Sequence, residues 1–548
     1  MKKETFLYGS IILAVAGIIT KVLGIFYRVP LVILLKDEGV GLVQYAYSLY
    51  LVLLAISTAG LPVAISKLVA ERVATNRYEA AVRVFRISLG LLTVSGLVVG
   101  TALFLGARFV TSVFFPDSRV YLSLVATAPA IFLVAVMSAF RGYFQGWKRL
   151  IPTAVSEILE QSVRIATAVG LAYILLPKGL EWAAAGATFG AVTGAAAGLV
   201  YLTYLYFKTR GQLRREMLTS TLAPPEEPET GTFALIREIA ILAIPISIGG
   251  LILPLMQSLD SVIVARRLLA IGYAQAQATA LFGQLSAMAF GLVNVPAMIT
   301  FALAAGLVPS ISEAVALGKM HRARAVLSTG IRITMALILP AAVGFIMLAQ
   351  PIMALIYTNE NRGAAAPLAV LSPGLLFLGL QQTTSAALQG IGRTDLPVKH
   401  LLTGAVVKTI LTWVLTANKA YGINGAAFAT SVGFLVSAVL NVLSVRKHLG
   451  VGFSFKSFVT RPVAAAVVMG LFVALFFPWF AGALGVTEGA PQRVAEGVAT
   501  LVTIGVAAVL YLVVLTLIGG LEAEDFRMIP RLGPRLAGWL ERHGLLRG

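Results

Sequence analysis

The chain has 548 residues, 58% of them hydrophobic and only 12% charged, where a soluble domain carries about 25% charged residues. This excludes a soluble globular protein and leaves a polytopic membrane protein with little soluble mass. The net charge of +19 would point to nucleic acid in a soluble chain; here the bases act as topology signals and headgroup anchors, and no nucleic-acid partner is expected. With no cysteine, disulfides, thiolate catalysis and cysteine metal sites are excluded.

The N-terminal Met1-Lys2-Lys3 resembles a signal n-region, but the apolar stretch behind it runs about 30 residues without a clear small-residue cleavage site, so it reads as a retained first span. A span needs about 20 mostly apolar residues. Fourteen segments qualify: 6–35, 42–68, 84–110, 120–144, 152–176, 182–207, 238–265, 278–315, 328–356, 366–390, 398–418, 423–445, 459–484 and 494–519. With the N-terminus inside, cytoplasmic segments hold 28 Lys and Arg and outer segments 9, which puts both termini in the cytoplasm of a plasma-membrane protein. Six more lie at membrane depth; of these Lys67 and Arg332 are expected near cytoplasmic helix ends, snorkelling.

Between the sixth and seventh spans a polar insertion carries Pro224-Pro225-Glu226-Glu227-Pro228-Glu229 and reads as a linker. The expected organisation is therefore an N-terminal lobe (1–207), a cytoplasmic linker (208–237), a C-terminal lobe (238–447), two added spans (448–519) and a basic amphipathic tail (520–548) on the anionic inner leaflet. The halves are weakly self-similar. Gln145-Gly146 recurs as Gln389-Gly390 and, at an offset of about 245, Ser66 meets Ser312, Arg86 meets Arg332 and Arg164 meets Lys408. Six spans separate the copies, so the repeat is parallel, with a pseudo-twofold along the membrane normal. Duplicated halves usually place a substrate site at their interface.

The remaining four deep cations are Lys21, Arg28, Arg164 and Lys408. A cation at the bilayer centre costs roughly 2.5–3.5 kcal/mol by insertion scales, so each faces a wet cavity or an anionic partner. Lys21 and Arg28 are seven apart, on one helix face; snorkelling by Arg28 and structural pairing by Lys21 is the alternative to a binding role. Glu157, Glu160 and Arg164 form a polar stripe in which Glu160 and Arg164 are an i,i+4 pair. That pair either neutralises itself or serves a substrate, and Glu157 is a candidate for proton or gate chemistry. Asp260 matches Arg28 in depth, and the two form a candidate outer latch between lobes or a pair within one lobe. Lys408 has no acid in its own span. The four histidines show no metal-ligand spacing and no Walker-type loop is present. No catalytic residue, metal or cofactor is expected, and transport would draw on an ion gradient, the membrane potential or neither.

Several stretches carry a family likeness: Lys21-Val-Leu-Gly24 through Arg28-Val-Pro30; Gly39-Val-Gly41 through Tyr45, Tyr47 and Tyr50; Gly60-Leu-Pro62 through Ser66-Lys67; Arg141-Gly142 through Gln145-Gly146; Glu160-Gln161-Ser-Val-Arg164; and Leu259-Asp260-Ser261. In this order they resemble the polysaccharide-transport branch of the MOP exporter superfamily, nearest to the stage V sporulation protein B/YtgP group and MurJ-type lipid II flippases. The resemblance implies an all-α polytopic fold of two six-helix lobes plus two helices that guide a lipid tail. It implies a monomer that rocks its lobes around a cationic cavity and moves an undecaprenyl-diphosphate-linked saccharide, most simply lipid II. First-span bases meet the diphosphate in such proteins, which carries over to Lys21 and Arg28. Some relatives bind sodium through carboxylates on spans seven and eleven; this chain has no acid between Val398 and Lys419. A flippase for another lipid-linked glycan (teichoic acid, capsule or O-unit precursor) fits the same charge logic. A cationic-drug antiporter would want an acidic, aromatic cavity; a respiratory antiporter-like subunit, a longer charge chain; and a glycosyltransferase, a larger outer loop.

Overall fold

The computed structural model describes residues 6–58, 60–219, 231–357, 363–450, 460–486 and 493–521, and of residues 6–11, 14, 18, 21, 25, 212–219, 245 and 493 the backbone alone. Among these the chain is almost wholly helical, with no strand. The cause is the solvent: in lipid each peptide N–H and C=O must pair within its own segment. The expected Pro-rich linker centre and nearly all of the expected amphipathic tail lie outside the described residues.

The helices fall in two compact units, Met1–Gly283 and Gln284–Gly548. The first holds α1 (Phe6–Thr58), α2 (Leu61–Ala74), α3 (Tyr78–Phe114), α4 (Val120–Gly146), α5 (Ile151–Leu175), α6 (Leu180–Thr219), α7 (Thr232–Ala270) and α8 (Gln275–Gly283). The second holds α9 (Phe290–Ala316), α10 (Met320–Met347), α11 (Ala349–Ile356), α12 (Ala365–Gly390), α13 (Asp395–Leu415), α14 (Gly422–Leu449), α15 (Arg461–Ala483) and α16 (Arg493–Leu517). The division thus falls beyond the polar insertion, at the head of a π-helical turn, Gln284–Ala289. Specific bonds tie α7 to the first unit. Arg72 of α2 meets Glu238 at 2.7 Å, and the Gly60 N–H donates to Ser247 Oγ at 2.9 Å.

Thirteen described stretches are long and apolar enough to cross a bilayer, which makes the chain a multi-pass membrane protein. The count is one below the fourteen expected spans because the first stretch, Val15–Ala74, is 60 residues long. At 1.5 Å per residue that is about 90 Å, roughly three hydrocarbon thicknesses. It is divided at Lys36, whose φ of 53° and ψ of −171° leave the helical region. Gly39 and Gly41 follow, and the second sits so close to α8 that a Cβ there would lie 2.2 Å from the Thr279 carbonyl oxygen.

The first unit's core combines aliphatic side chains with a ring cluster. Phe85 of α3 packs 4.5 Å from Tyr143 and 5.2 Å from Phe140 of α4, and 5.2 Å from Tyr206 of α6. The internal repeat appears in the packing of each unit. Gly146 at the end of α4 abuts Val69 and the Ser66 carbonyl of α2. Gly390 at the end of α12 abuts Ile311 and the Val308 carbonyl of α9, and its own carbonyl accepts from Ser312 Oγ at 2.8 Å. In the second unit α15 lies on α10, with Gly470 against Val343, and α16 lies on α11, with Gly497 against Leu355.

Candidate functional site

Helix α5 carries Glu157, Glu160 and Arg164, and α6 sets their position. Gly186, Gly190, Gly194 and Gly198 repeat every fourth residue along α6, a small-residue stripe of the kind that lets membrane helices approach closely. A Cβ at Gly190 would lie 2.7 Å from the Arg164 carbonyl oxygen, and one at Gly194 would lie 2.9 Å from Arg164 Cβ and 2.5 Å from the Glu160 carbonyl oxygen. The backbone of α6 therefore supports α5 directly beneath its charged residues.

The carboxylate of Glu160 is bonded across the unit rather than along its own helix. Arg141 of α4 donates from Nη2 to Glu160 Oε2 at 2.8 Å and from Nε to Ser156 Oγ at 3.0 Å. Arg141, counted among the cytoplasmic topology residues in the sequence, is thus a half-buried ion-pair partner with 17% of its side chain exposed. Arg164 instead meets aromatic rings. Its guanidinium carbon lies 5.7 Å from the centroid of the Tyr47 ring, a cation–π arrangement. Tyr50, whose ring is 5.9 Å from that of Tyr47, and Tyr27 are its other aromatic neighbours. Tyr50 is buried at 3% exposure and Tyr27 and Tyr47 are half-buried. Glu160 remains in electrostatic range of Arg164, and Glu157, half-buried one turn away, is coupled to both Arg141 and Glu160.

In the second unit Lys408 occupies the matching place on α13. It is 5% exposed, and a Cβ built at Gly433 of α14 would lie 2.8 Å from Lys408 Cβ. Gly404, one turn away, fits against the Gly433 carbonyl and Ser437. The same face continues into a polar network. His400 Nδ1 and Asn441 Oδ1 are 2.7 Å apart, and the Asn441 amide donates to Ser385 Oγ at 2.8 Å. Arg332 departs from expectation: it stands mid-way along α10 at 7% exposure rather than snorkelling from a helix end. The helix starts at Met320, well before the expected span, so the residue is carried inward. Lys67 is exposed and lies 3.7 Å from Glu71.

Residues 6–315 match the model of a family described as polysaccharide biosynthesis protein, and residues 245–414 match the MatE model. Stage V sporulation protein B of Bacillus subtilis (strain 168) is 30% identical over 97% of this chain and 99% of its own length. The chain belongs to the polysaccharide biosynthesis protein family. Another relative, the lipid II flippase MurJ of Bacillus subtilis (strain 168), is 28% identical over 92% of this chain and 94% of its own. Among solved structures, a lipid II flippase MurJ in an inward closed conformation superposes with a TM-score of 0.66 at 15% identity, covering 93% of this chain and 98% of that one. That likeness is one of fold alone.

Within this family member the remaining expected residues are placed as follows. Lys21 lies in α1, with its side chain outside the described residues. Arg28 on α1 and Asp260 on α7 are both half-buried, and both belong to the first unit. One cluster escaped the sequence reading. Asp117, in the α3–α4 connection, is fully buried. It accepts from Arg119 Nε at 3.0 Å and Nη2 at 2.7 Å and from Thr279 Oγ1 of α8 at 3.0 Å, while Arg119 also meets Glu38 at 2.6 Å. Burial alone would push the Asp117 carboxyl up, but the bonds from Arg119 and Thr279 outweigh it and hold the group below the usual carboxylate range. Asp117 sits three residues past the end of α3, and the sequence does not show its distant partner. Arg266 of α7 donates to the Val113 carbonyl close by. The described residues contain no group of three or more His, Asp or Glu able to hold a metal.

Proposed function

We propose that the protein is a flippase for a lipid-linked saccharide, and that its substrate is an undecaprenyl-diphosphate-linked peptidoglycan precursor, lipid II, moved from the inner to the outer leaflet. It acts as a transporter without a chemical step, as a monomer in the bacterial plasma membrane with both termini cytoplasmic. Family membership, at near-full-length similarity to a stage V sporulation protein and to a lipid II flippase, supports the transport class. The observation that carries the substrate is the state of Arg164: the nearest carboxylate on its helix, Glu160, is bonded to Arg141, and the guanidinium faces rings that do not neutralise it. A cation held in apolar surroundings this way is matched to an anion. A diphosphate accepts strong charge-assisted hydrogen bonds from Arg and Lys. Lys21, Arg28 and Lys408 are assigned to the same task, and Glu157, Glu160 and Asp260 to gating or coupling. An inside-negative potential favours outward movement of the anion, by about 2.3 kcal/mol per charge per 100 mV.

The runner-up is a flippase for another lipid-linked glycan, since a diphosphate linkage is common to both and the saccharide is not what Arg164 reads. Complementation separates them. Depletion of the endogenous lipid II flippase in a bacterial host, with this chain supplied in trans, is expected to restore growth. Failure together with rescue of a teichoic acid, capsule or O-unit pathway replaces lipid II by that glycan.

A further inference from the structure

Resting on that reading of Arg164, we propose that Tyr47 is a positioning residue. Its ring holds the Arg164 guanidinium away from Glu160, so that the cation reaches the diphosphate unneutralised. The geometry has three parts. Arg164 and Glu160 are four apart on α5, the spacing and order at which such a pair closes on a helix surface. The pair is not closed in this way: Glu160 is claimed by Arg141 from α4, and the guanidinium carbon of Arg164 stands 5.7 Å from the Tyr47 ring centroid. The rings come from α1, a different element, and buried Tyr50, 5.9 Å from Tyr47, also meets the Arg164 guanidinium through its hydroxyl. A planar guanidinium stacks on such a face and keeps its charge and its donors. Held by a carboxylate, the same group would present a neutral pair to an incoming anion. Two partners thus keep one potential pair apart, Arg141 by occupying the acid and Tyr47 by occupying the base.

The ring face, rather than the hydroxyl, is the required part, so Tyr47→Phe and Tyr47→Leu give opposite results. The full-length purified protein in nanodiscs is titrated with undecaprenyl diphosphate, with inorganic pyrophosphate and undecaprenol as separate arms. Tyr47→Phe is expected to bind the lipid as the unmutated protein does. Tyr47→Leu is expected to bind roughly tenfold more weakly, and adding Glu160→Gln to Tyr47→Leu is expected to recover most of that loss, which a merely misfolded site would not do. A second readout needs no ligand. The coupling between Glu160→Gln and Arg164→Met in thermal stability is expected to be smaller with Tyr47 present and to grow with Tyr47→Leu. Binding unchanged by Tyr47→Leu, no recovery with Glu160→Gln, or a Glu160–Arg164 coupling that is the same in both backgrounds overturns the positioning role. Absence of lipid binding by the unmutated protein sinks the diphosphate reading instead, and the stability cycle still decides what Tyr47 does; pyrophosphate bound as tightly as the lipid makes the ligand a free anion.

Discussion

Arg164 and Lys408 hold corresponding places in the two units, and their surroundings have diverged. Each cation is pressed against a glycine of the helix that follows its own: Gly194 under Arg164 and Gly433 under Lys408. Around Arg164 stand tyrosine rings from α1, whereas Lys408 is sunk to 5% exposure beside the Gly404–Ser437 contact. A repeat keeps the backbone approach because a helix pair cannot be re-spaced by one substitution. Side chains around a charge change one at a time, and there the halves specialise.

The sharpest way to break this comparison is to release Glu160. Arg141→Ala removes the partner of a half-buried carboxylate, and the unpaired charge is expected to cost about 3 kcal/mol of stability, measured as the loss of thermal midpoint in detergent. The same variant lets Glu160 turn to Arg164, making the first unit's cation a neutralised one. Next, Gly194→Ala and Gly433→Ala each place a Cβ under 3.0 Å from the cation's own Cβ, and each is expected to cost about 2 kcal/mol by overpacking. If only one of them destabilises, the two glycines do not do the same job. Third, Arg164→Lys is expected to lower flipping in proteoliposomes roughly tenfold, because an ammonium replaces the planar group on the Tyr47 ring. Lys408→Arg probes the second unit, where crowding against Gly433 predicts a fall through packing that shows in the thermal midpoint as well.

A smaller effect concerns Asp117. Its carboxyl is held below its unfolded value of about 3.9, so its stabilisation is complete above about pH 4 and is lost as pH falls through the lower folded value. Asp117→Asn is expected to cost about 1–2 kcal/mol at pH 7 and to remove that acid sensitivity from a thermal-melt series. The smallest is Arg72–Glu238, where the glutamate side chain is 39% exposed. Glu238→Gln should change stability by less than about 1 kcal/mol.

The helices and their membrane setting were legible because apolar runs of some 20 residues have few other uses. The repeat was legible from Gln145-Gly146 and Gln389-Gly390, since a glycine needed for close approach leaves a fixed mark. The pairing of Glu160 was not. Local spacing favoured Arg164, and only the fold brings Arg141 from α4 to the same carboxylate. Asp117 was hidden for the same reason, its partner Thr279 lying 162 residues away. Arg332 was misplaced by a helix boundary: α10 begins eight residues before the expected span, which moves the arginine from rim to interior. Tyr47 was visible as a residue but not as a neighbour of Arg164, because aromatic side chains in membrane helices carry no periodic signal of what they face.

The elbow at Lys36 bears on how the chain enters the bilayer. Two apolar limbs meet at one non-helical residue, with almost no loop between them. Almost no loop is left there for a protease to cut. Because the protein has no cysteine, one cysteine introduced at the elbow is the only thiol a membrane-impermeant reagent can find, and its labelling from one side or the other reports directly on which side of the bilayer the elbow lies.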